Sequence, residues 1–403
     1  MYITFLTIII ANGVQSQGFK GPNILYTTAQ RIAGYNYPVE SHEVVTSDGY
    51  ILTMFRIPYS PKEHKNDTYS RPVFLLQHGL STSSDSFILN GPDNALAYLL
   101  ADAGYDVWMG NHRGNVYSRK HVKLSPEKSK FWQFTWHELG ILDMPAMIDY
   151  VLAMTNQEKL HFVGHSQGTT VFFVLLSELP EYNSKFKTTY MLAPIAFVGN
   201  VQSLIGITAA TIITQSPILS HFLEGHEFIP MIVPVSIFTS ELCAVGSWFQ
   251  WICADVFFII GGWDSKHLNY TLIPDAYETH PAGCSTGQEI HYLQELKSGY
   301  FRKFDHGRVK NLKVYGQATP PNYNESNIVA PVRFYHGDND KLAPLVDVKR
   351  MEKLLPNLVE SYDVPVKEWT HIDFIFALDV KELINDKIIR TANHYEKTGE
   401  QLK

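Results

Sequence analysis

Two kinds of hydrophobic pattern take turns along this chain. Unbroken apolar runs at 73–77, 105–109, 159–163, 188–192 and 331–336 predict strands buried on both faces, as in a parallel sheet. Between them, 93–103 and 136–154 carry apolar residues three and four apart, the spacing of amphipathic helices. Asp93 is placed to cap the first of these and Gly104 to stop it. Pro145 lies inside the second and predicts a kink or a break, because proline has no amide proton to give the helix. Further helices are predicted at 171–176, 346–355 and 380–395. The runs 43–46 and 50–57 flank Ser47-Asp48-Gly49 and predict a β-hairpin. A last strand is predicted at 364–369, just before His371. Strand and helix in alternation predict an α/β fold, with a mostly parallel central sheet and helices on both faces.

The middle of the chain breaks this rhythm. From 195 to 262 there is no Lys or Arg, and only Glu224, Glu227, Glu241 and Asp255 are acidic. Pro217, Pro230 and Pro234 interrupt the apolar runs, so none reaches membrane-spanning length. This predicts an apolar, mainly helical insertion, which the more polar residues up to 321 extend. The expected organisation is a core at 17–194, a cap and lid at 195–321, and the rest of the core at 322–403. The mobile lid itself is expected at about 203–240. Residues 2–11 are apolar and followed by Val14-Gln15-Ser16, which predicts a secretory signal, residues 1–16, cleaved after Ser16. The usual Lys or Arg near its start is missing. Secretion agrees with the N-x-S/T sequons at Asn66, Asn269 and Asn324, expected glycosylation sites. The chain is thus expected to be secreted or lysosomal.

Composition narrows the chemistry. Net charge is −7 over 403 residues, so no basic footprint points to nucleic acid. There are 3 cysteines. Cys243 and Cys253 are close enough in sequence to close a small loop and are expected to pair, leaving Cys284 as a buried thiol. No metal-binding pattern stands out. Gly110 and Gly114 lack the third glycine of a dinucleotide loop, so no cofactor is expected.

The stretch Gly164-His165-Ser166-Gln167-Gly168 carries the chemistry. It is a G-x-S-x-G turn between a predicted strand and a predicted helix, the setting of a nucleophile elbow. The glycines let strand and helix approach closely, and the helix start favours negative charge near Ser166. A serine hydroxyl needs a base within reach and an acid behind the base. On this topology they follow in the order Ser, Asp, His. His371 fits the base by position. Asp338 and Asp340, both after the run at 331–336, compete for the acid. Asp373 is expected to hold the His371 loop, and His165 to be a wall residue turned away from the serine. His78-Gly79 sets the first strand-to-helix loop, so the N–H groups of Leu80 and Gln167 are the expected oxyanion hole.

These segments resemble the acid lipase family, the gastric and lysosomal lipases and their insect relatives. The resemblance runs through Glu43 to Leu52, Leu99 to Trp108, Leu142-Asp143-Met144-Pro145-Ala146, the elbow, Asp264-Ser265-Lys266 and His280-Pro281-Ala282-Gly283. It continues in Asn339-Asp340-Lys341-Leu342-Ala343 and His371-Ile372-Asp373-Phe374. It implies the α/β-hydrolase fold and a neutral-lipid esterase working at a lipid–water interface, with Ser166, Asp340 and His371 as its triad. It also implies a mobile lid, and supports the Cys243–Cys253 bridge. Two places depart from the family pattern. The loop 81–87 lacks a second Leu and a Trp, and Cys284 stands where Thr or Ser is usual. Other uses of the fold would look different. A peptidase should show charged specificity residues in the cap, and a lipid carrier has no need of an intact Ser, Asp and His.

Overall fold

The computed structural model describes residues 26–62, 70–202, 225–228, 230–231, 233–262 and 266–402. The expected signal at 1–16, the sequon residue Asn66, and 203–224 of the expected lid lie outside them.

Helix α1 (Thr28–Gly34) opens the fold, capped by Thr27 in a capping box with Gln30; the hydrophobic pattern gave no sign of it. The hairpin forms as expected from β1 (Glu40–Val45) and β2 (Tyr50–Ile57). The apolar runs become β3 (Val73–Gln77), β4 (Asp106–Gly110), β6 (Leu160–His165), β7 (Phe186–Leu192) and β10 (Val332–His336). The short β5 (Lys120–His121) pairs with β2. With the edge strand β11 (Leu358–Asp363) included, the sheet order is β1-β2-β4-β3-β6-β7-β10-β11. From β4 to β11 every neighbour is parallel; only the hairpin side is antiparallel.

The helices follow from this order. The step β3 to β4 runs one way across the sheet and the steps β4 to β6 and β6 to β7 the other. Right-handed crossovers therefore put helix α2 (Leu96–Asp102) on one face and α3 (Met144–Thr155) and α4 (Gln167–Glu178) on the opposite one. Helix α2 begins at Leu96 after Ala95, which makes no side-chain cap. Asp93, expected to cap it, is exposed outside the helix. The neighbouring Asn94 instead donates its amide to Ala377 O and Leu378 O, which ties the chain there to the carboxyl-terminal region and delays the helix.

Pro145 acts as the sequence suggests, through a π turn. An α-helical start at Trp136–Glu138 widens at Leu139–Asp143 before α3 resumes, with Pro145 in its first turn, where no amide proton is needed. The predicted strand at 364–369 is wrong. The edge strand is β11 (Leu358–Asp363), pairing with β10, while 364–369 is irregular. Leu358–Asp363 is only half covered along its length, so charged Glu360 and Asp363 hid it. The apolar 364–369 contains Pro365, and its Val364 and Trp369 are buried anchors of a loop.

Beyond β7 the described insertion is mainly helical: α5 (Val233–Leu242), α6 (Gln250–Gly261), α7 (Ile273–Thr279), α8 (Thr286–Ser298) and α9 (Arg308–Tyr315). The strands β8 (Glu227–Phe228) and β9 (Cys284–Ser285) form a separate ribbon. The chain then supplies β10, α10 (Leu345–Glu352), β11, α11 (Asp373–Phe376) and α12 (Asp386–Thr398). Cys243 and Cys253 are joined in a disulfide and Cys284 is a buried free thiol. No helix of the described residues is long and apolar enough to cross a membrane.

A buried ionic cluster locks the hairpin to the helices. Arg113, just after β4, donates its Nε to Asp143 Oδ1 at 2.7 Å and its backbone N–H to Asp143 Oδ2 at 3.0 Å. Its other guanidinium nitrogens reach Asp48 at 2.6 and 3.0 Å, and the group stacks 4.0 Å over the Tyr50 ring. Removing one partner of a buried pair strands the other's charge, which typically costs ~3–5 kcal/mol. Asp143→Ala is therefore expected to lower unfolding free energy by about that amount. Denaturant unfolding followed by circular dichroism measures it; a loss below ~1 kcal/mol would mean that Asp48 alone compensates Arg113.

Candidate active site

Four chain segments meet at the carboxyl ends of the parallel strands. The turn after β6 is the tightest. Ser166 sits at φ 54°, ψ −120°, a strained conformation for a residue with a side chain. It can be held because its neighbours are clear. A Cβ on Gly164 would lie 2.8 Å from the Gly168 carbonyl, and one on Gly168 would run into the Gln77 carbonyl oxygen of β3. Thr169 Oγ1 donates to Ser166 O at 2.6 Å and accepts from Ile195 N–H at 2.8 Å. The strained serine is thus tied to both β7 and α4.

His371 lies at the end of the irregular stretch after β11. Its Nδ1 is 3.0 and 2.9 Å from the two Asp340 oxygens and its Nε2 is 2.7 Å from Ser166 Oγ. Both oxygens facing Nδ1 are acceptors, so Nδ1 carries the proton and Nε2 accepts from the serine hydroxyl. Asp340 is buried and fixed by two amides: its Oδ1 accepts from Leu342 N–H at 2.9 Å and Ala343 N–H at 2.7 Å. Between the two competing aspartates, the structure brings Asp340 to His371 and leaves Asp338 exposed. Asp373 holds the loop as expected, accepting from Thr370 N–H and Oγ1, both at 2.7 Å.

His165 departs from expectation. It does not turn away: its Nε2 donates to His371 O at 3.0 Å, and the two rings lie 5.2 Å apart. Burial, with the neighbouring His371 ring as second cause, pushes the His165 pKa down to about 3. It therefore stays neutral beside the His371 ring and helps hold the His371 backbone.

The loop after β3 faces the same serine. A Cβ on Gly79 would lie 3.1 Å from Ser166 Cβ, so only glycine allows this approach. His78 is buried beneath the loop, where burial holds it neutral. Its Nδ1 donates to Gly79 O at 2.8 Å while its Nε2 accepts from His112 N–H at 3.2 Å. Leu80 follows at once. Gln167 opens α4, where backbone N–H groups have no partner within the helix. The insertion braces this loop from outside: Ala282 N–H donates to Ser81 O at 2.7 Å, and Cys284 Sγ lies 3.0 Å from Ser81 Oγ. The two departures from the family pattern thus touch each other. That contact had no signal in the sequence, because its partners are some two hundred residues apart.

Of the sequon residues, Asn324 is exposed, and Asn269 is half buried with its amide donating to Asn90 Oδ1 at 3.1 Å.

Known proteins share this arrangement's framework. The family model described as a partial alpha/beta-hydrolase lipase region matches residues 28–91, and that of the alpha/beta hydrolase fold matches 72–202. Lipase 3 of Drosophila melanogaster is 44% identical over 367 residues, covering 91% of this chain and 93% of that protein. Human gastric triacylglycerol lipase is 41% identical, covering 91% and 90%. Human lysosomal acid lipase/cholesteryl ester hydrolase is 35% identical, covering 93% and 92%. Similarity of this degree along nearly the whole length of each relative means that the chain belongs to the acid lipase family of α/β-hydrolases.

Proposed function

We propose that this protein is a lipase that hydrolyses carboxylic esters of neutral lipids, triacylglycerols and cholesteryl esters among them, with Ser166 as nucleophile, His371 as base and Asp340 as acid. The observation that carries the reading is the unbroken chain of contacts from Asp340 through His371 to Ser166 Oγ. Ser166 attacks the ester carbonyl and passes its proton to His371 Nε2. The new oxyanion accepts from the N–H groups of Leu80 and Gln167, each typically worth ~10²–10³ in turnover. His371 then protonates the leaving alcohol as the acyl-enzyme forms. In the second half it takes a proton from water, whose oxygen attacks the acyl carbonyl, and returns the proton to Ser166 as the fatty acid leaves. Asp340 stays ionised throughout, holding the ring and stabilising the imidazolium. No step asks for a metal or a cofactor.

The insertion supports a lipid surface as the place of action. Around the disulfide-closed loop, Val245 is 63%, Trp248 90% and Trp251 61% exposed, with Phe238 and Phe249 beside them. A soluble protein rarely shows water so large an apolar patch without a use for it, and Trp suits the boundary between water and lipid. Helix α6 leads from this tip to the triad, where Gly261 O accepts from His371 N–H at 3.2 Å. The reading includes a core at 17–194 and 322–403, a cap at 195–321 with its lid at 203–240, a signal at 1–16, and glycans on Asn66, Asn269 and Asn324. It also includes a secreted or lysosomal fate, in keeping with gastric and lysosomal relatives.

Ser166→Ala is expected to leave a folded protein whose ester turnover is lower by several orders of magnitude; more than about a tenth of the activity remaining would rule out the nucleophile. Asp340→Asn should cripple kcat, because the amide favours the wrong His371 tautomer, while Asp338→Asn stays near the parent. The reverse order would move the acid to Asp338. The double change Trp248→Ala and Trp251→Ala is expected to weaken adsorption to phosphatidylcholine-coated triolein droplets about tenfold or more, since burying one such side chain is worth ~1.5–3 kcal/mol. Its kcat on a soluble short ester should not change. Unaltered adsorption in a flotation assay would show that this tip is not the anchor.

A further inference from the structure

The two expected oxyanion donors belong to peptides that are gripped from behind in the same way. Leu80 N–H shares one planar unit with the Gly79 carbonyl, and Gln167 N–H shares another with the Ser166 carbonyl. In a trans peptide the N–H and the C=O point in opposite directions. Whatever fixes the carbonyl therefore aims the N–H.

Each carbonyl is fixed by the threonine three residues on. Gly79 O accepts from Thr82 Oγ1 at 3.0 Å and from Thr82 N–H at 3.4 Å. Ser166 O accepts from Thr169 Oγ1 at 2.6 Å and from Thr169 N–H at 2.8 Å. His78 Nδ1 gives Gly79 O a third donor, at 2.8 Å. Threonine in a helix commonly bonds a carbonyl three or four residues back, as Thr155 and Thr391 do. At Thr82 and Thr169 the carbonyl so bonded is that of a donor peptide, on both sides of the serine.

Both turns need such a grip. Ser81, between Leu80 and Thr82, has φ 54°, and so has Ser166, a left-handed value that strains a residue with a side chain. Ala282 N–H holds Ser81 O at 2.7 Å from the insertion side, but the Leu80 peptide itself is held by His78 and Thr82. Among the described residues, neither Leu80 N–H nor Gln167 N–H is spent on a protein acceptor.

We propose that Thr82 and Thr169 are positioning residues of the oxyanion hole. Their hydroxyls hold the Gly79 and Ser166 carbonyls away from the site, so that Leu80 N–H and Gln167 N–H converge on the ester oxygen. The inference rests on the reading of Ser166, Leu80 and Gln167 given above. The donors count most when charge has developed on that oxygen, so a looser aim lowers kcat and leaves KM nearly unchanged.

The test compares the parent with Thr82→Val, Thr82→Ser, Thr169→Val and Thr169→Ser on a soluble butanoyl ester and with an alkyl trifluoromethyl ketone. With the ketone, Ser166 Oγ bonds to the carbonyl carbon, its proton passes to His371 Nε2, and the carbonyl oxygen becomes an alkoxide in the hole. Each valine variant is expected to lose about tenfold in kcat and in ketone affinity at nearly constant KM, a part of the ~10²–10³ carried by a whole donor. Each serine variant keeps the hydroxyl and should recover most of both losses. Thr169 also accepts from Ile195 N–H, so Thr169→Val strands a buried amide; if it does not fold, the Thr82 variants decide. Unchanged kcat and ketone affinity in Thr82→Val overturn the inference. So does an equal loss in Thr82→Val and Thr82→Ser, which would mark a merely structural role. Fluorophosphonate labelling counts Ser166 in every protein. Absence of label in the parent would bring down the triad reading, and this inference with it.

Discussion

The close approach of β3 to the start of α4 is the constraint on which the site depends. The Gln77 carbonyl lies where a Gly168 side chain would be, and Gly164 packs on the same turn from the other side. Only with both side chains absent can Ser166 be held at φ 54° with its Oγ above the sheet. The same approach sets the Leu80 loop opposite the first turn of α4. One steric condition therefore presents Ser166 and brings together the two backbone segments that face it.

The remaining machinery is fixed by polar contacts with defined donors and acceptors. Asp340 is held by two backbone amides and in turn fixes the His371 tautomer. His165 and His78 are kept neutral by burial, so each can donate from one ring nitrogen to a carbonyl without adding positive charge near His371. Farther back, the Arg113 cluster joins the hairpin, the β4 exit and the π turn. Among the described residues, the insertion is tied to the site through Ser81, Thr170, Lys341 and His371. What happens at its exposed aromatic tip is thus mechanically close to the chemistry.

The elements that the sequence displayed most clearly were those whose burial is uniform. Val73-Phe74-Leu75-Leu76 and Leu160-His161-Phe162-Val163 are covered on both faces, so their composition announces them. Leu358–Asp363 is half covered at the sheet edge, and its polar positions concealed it behind the more apolar loop that follows. Asp93 looked like a cap because the pattern cannot see that Asn94 is held by the chain near residue 377.

By itself, the sequence determined the elbow, the order Ser, Asp, His, the hairpin and the apolar insertion without basic residues. Each is a local pattern, set by spacing, by glycine's freedom or by the lack of charge along one stretch of chain. Only the tertiary structure set Asp340 and not Asp338 against His371, turned His165 toward the His371 backbone, and joined Ser81 to Cys284. These outcomes depend on distances between residues far apart in sequence and on what burial does to a charge. Neither is fixed until the strands are in register and the insertion has closed over their ends.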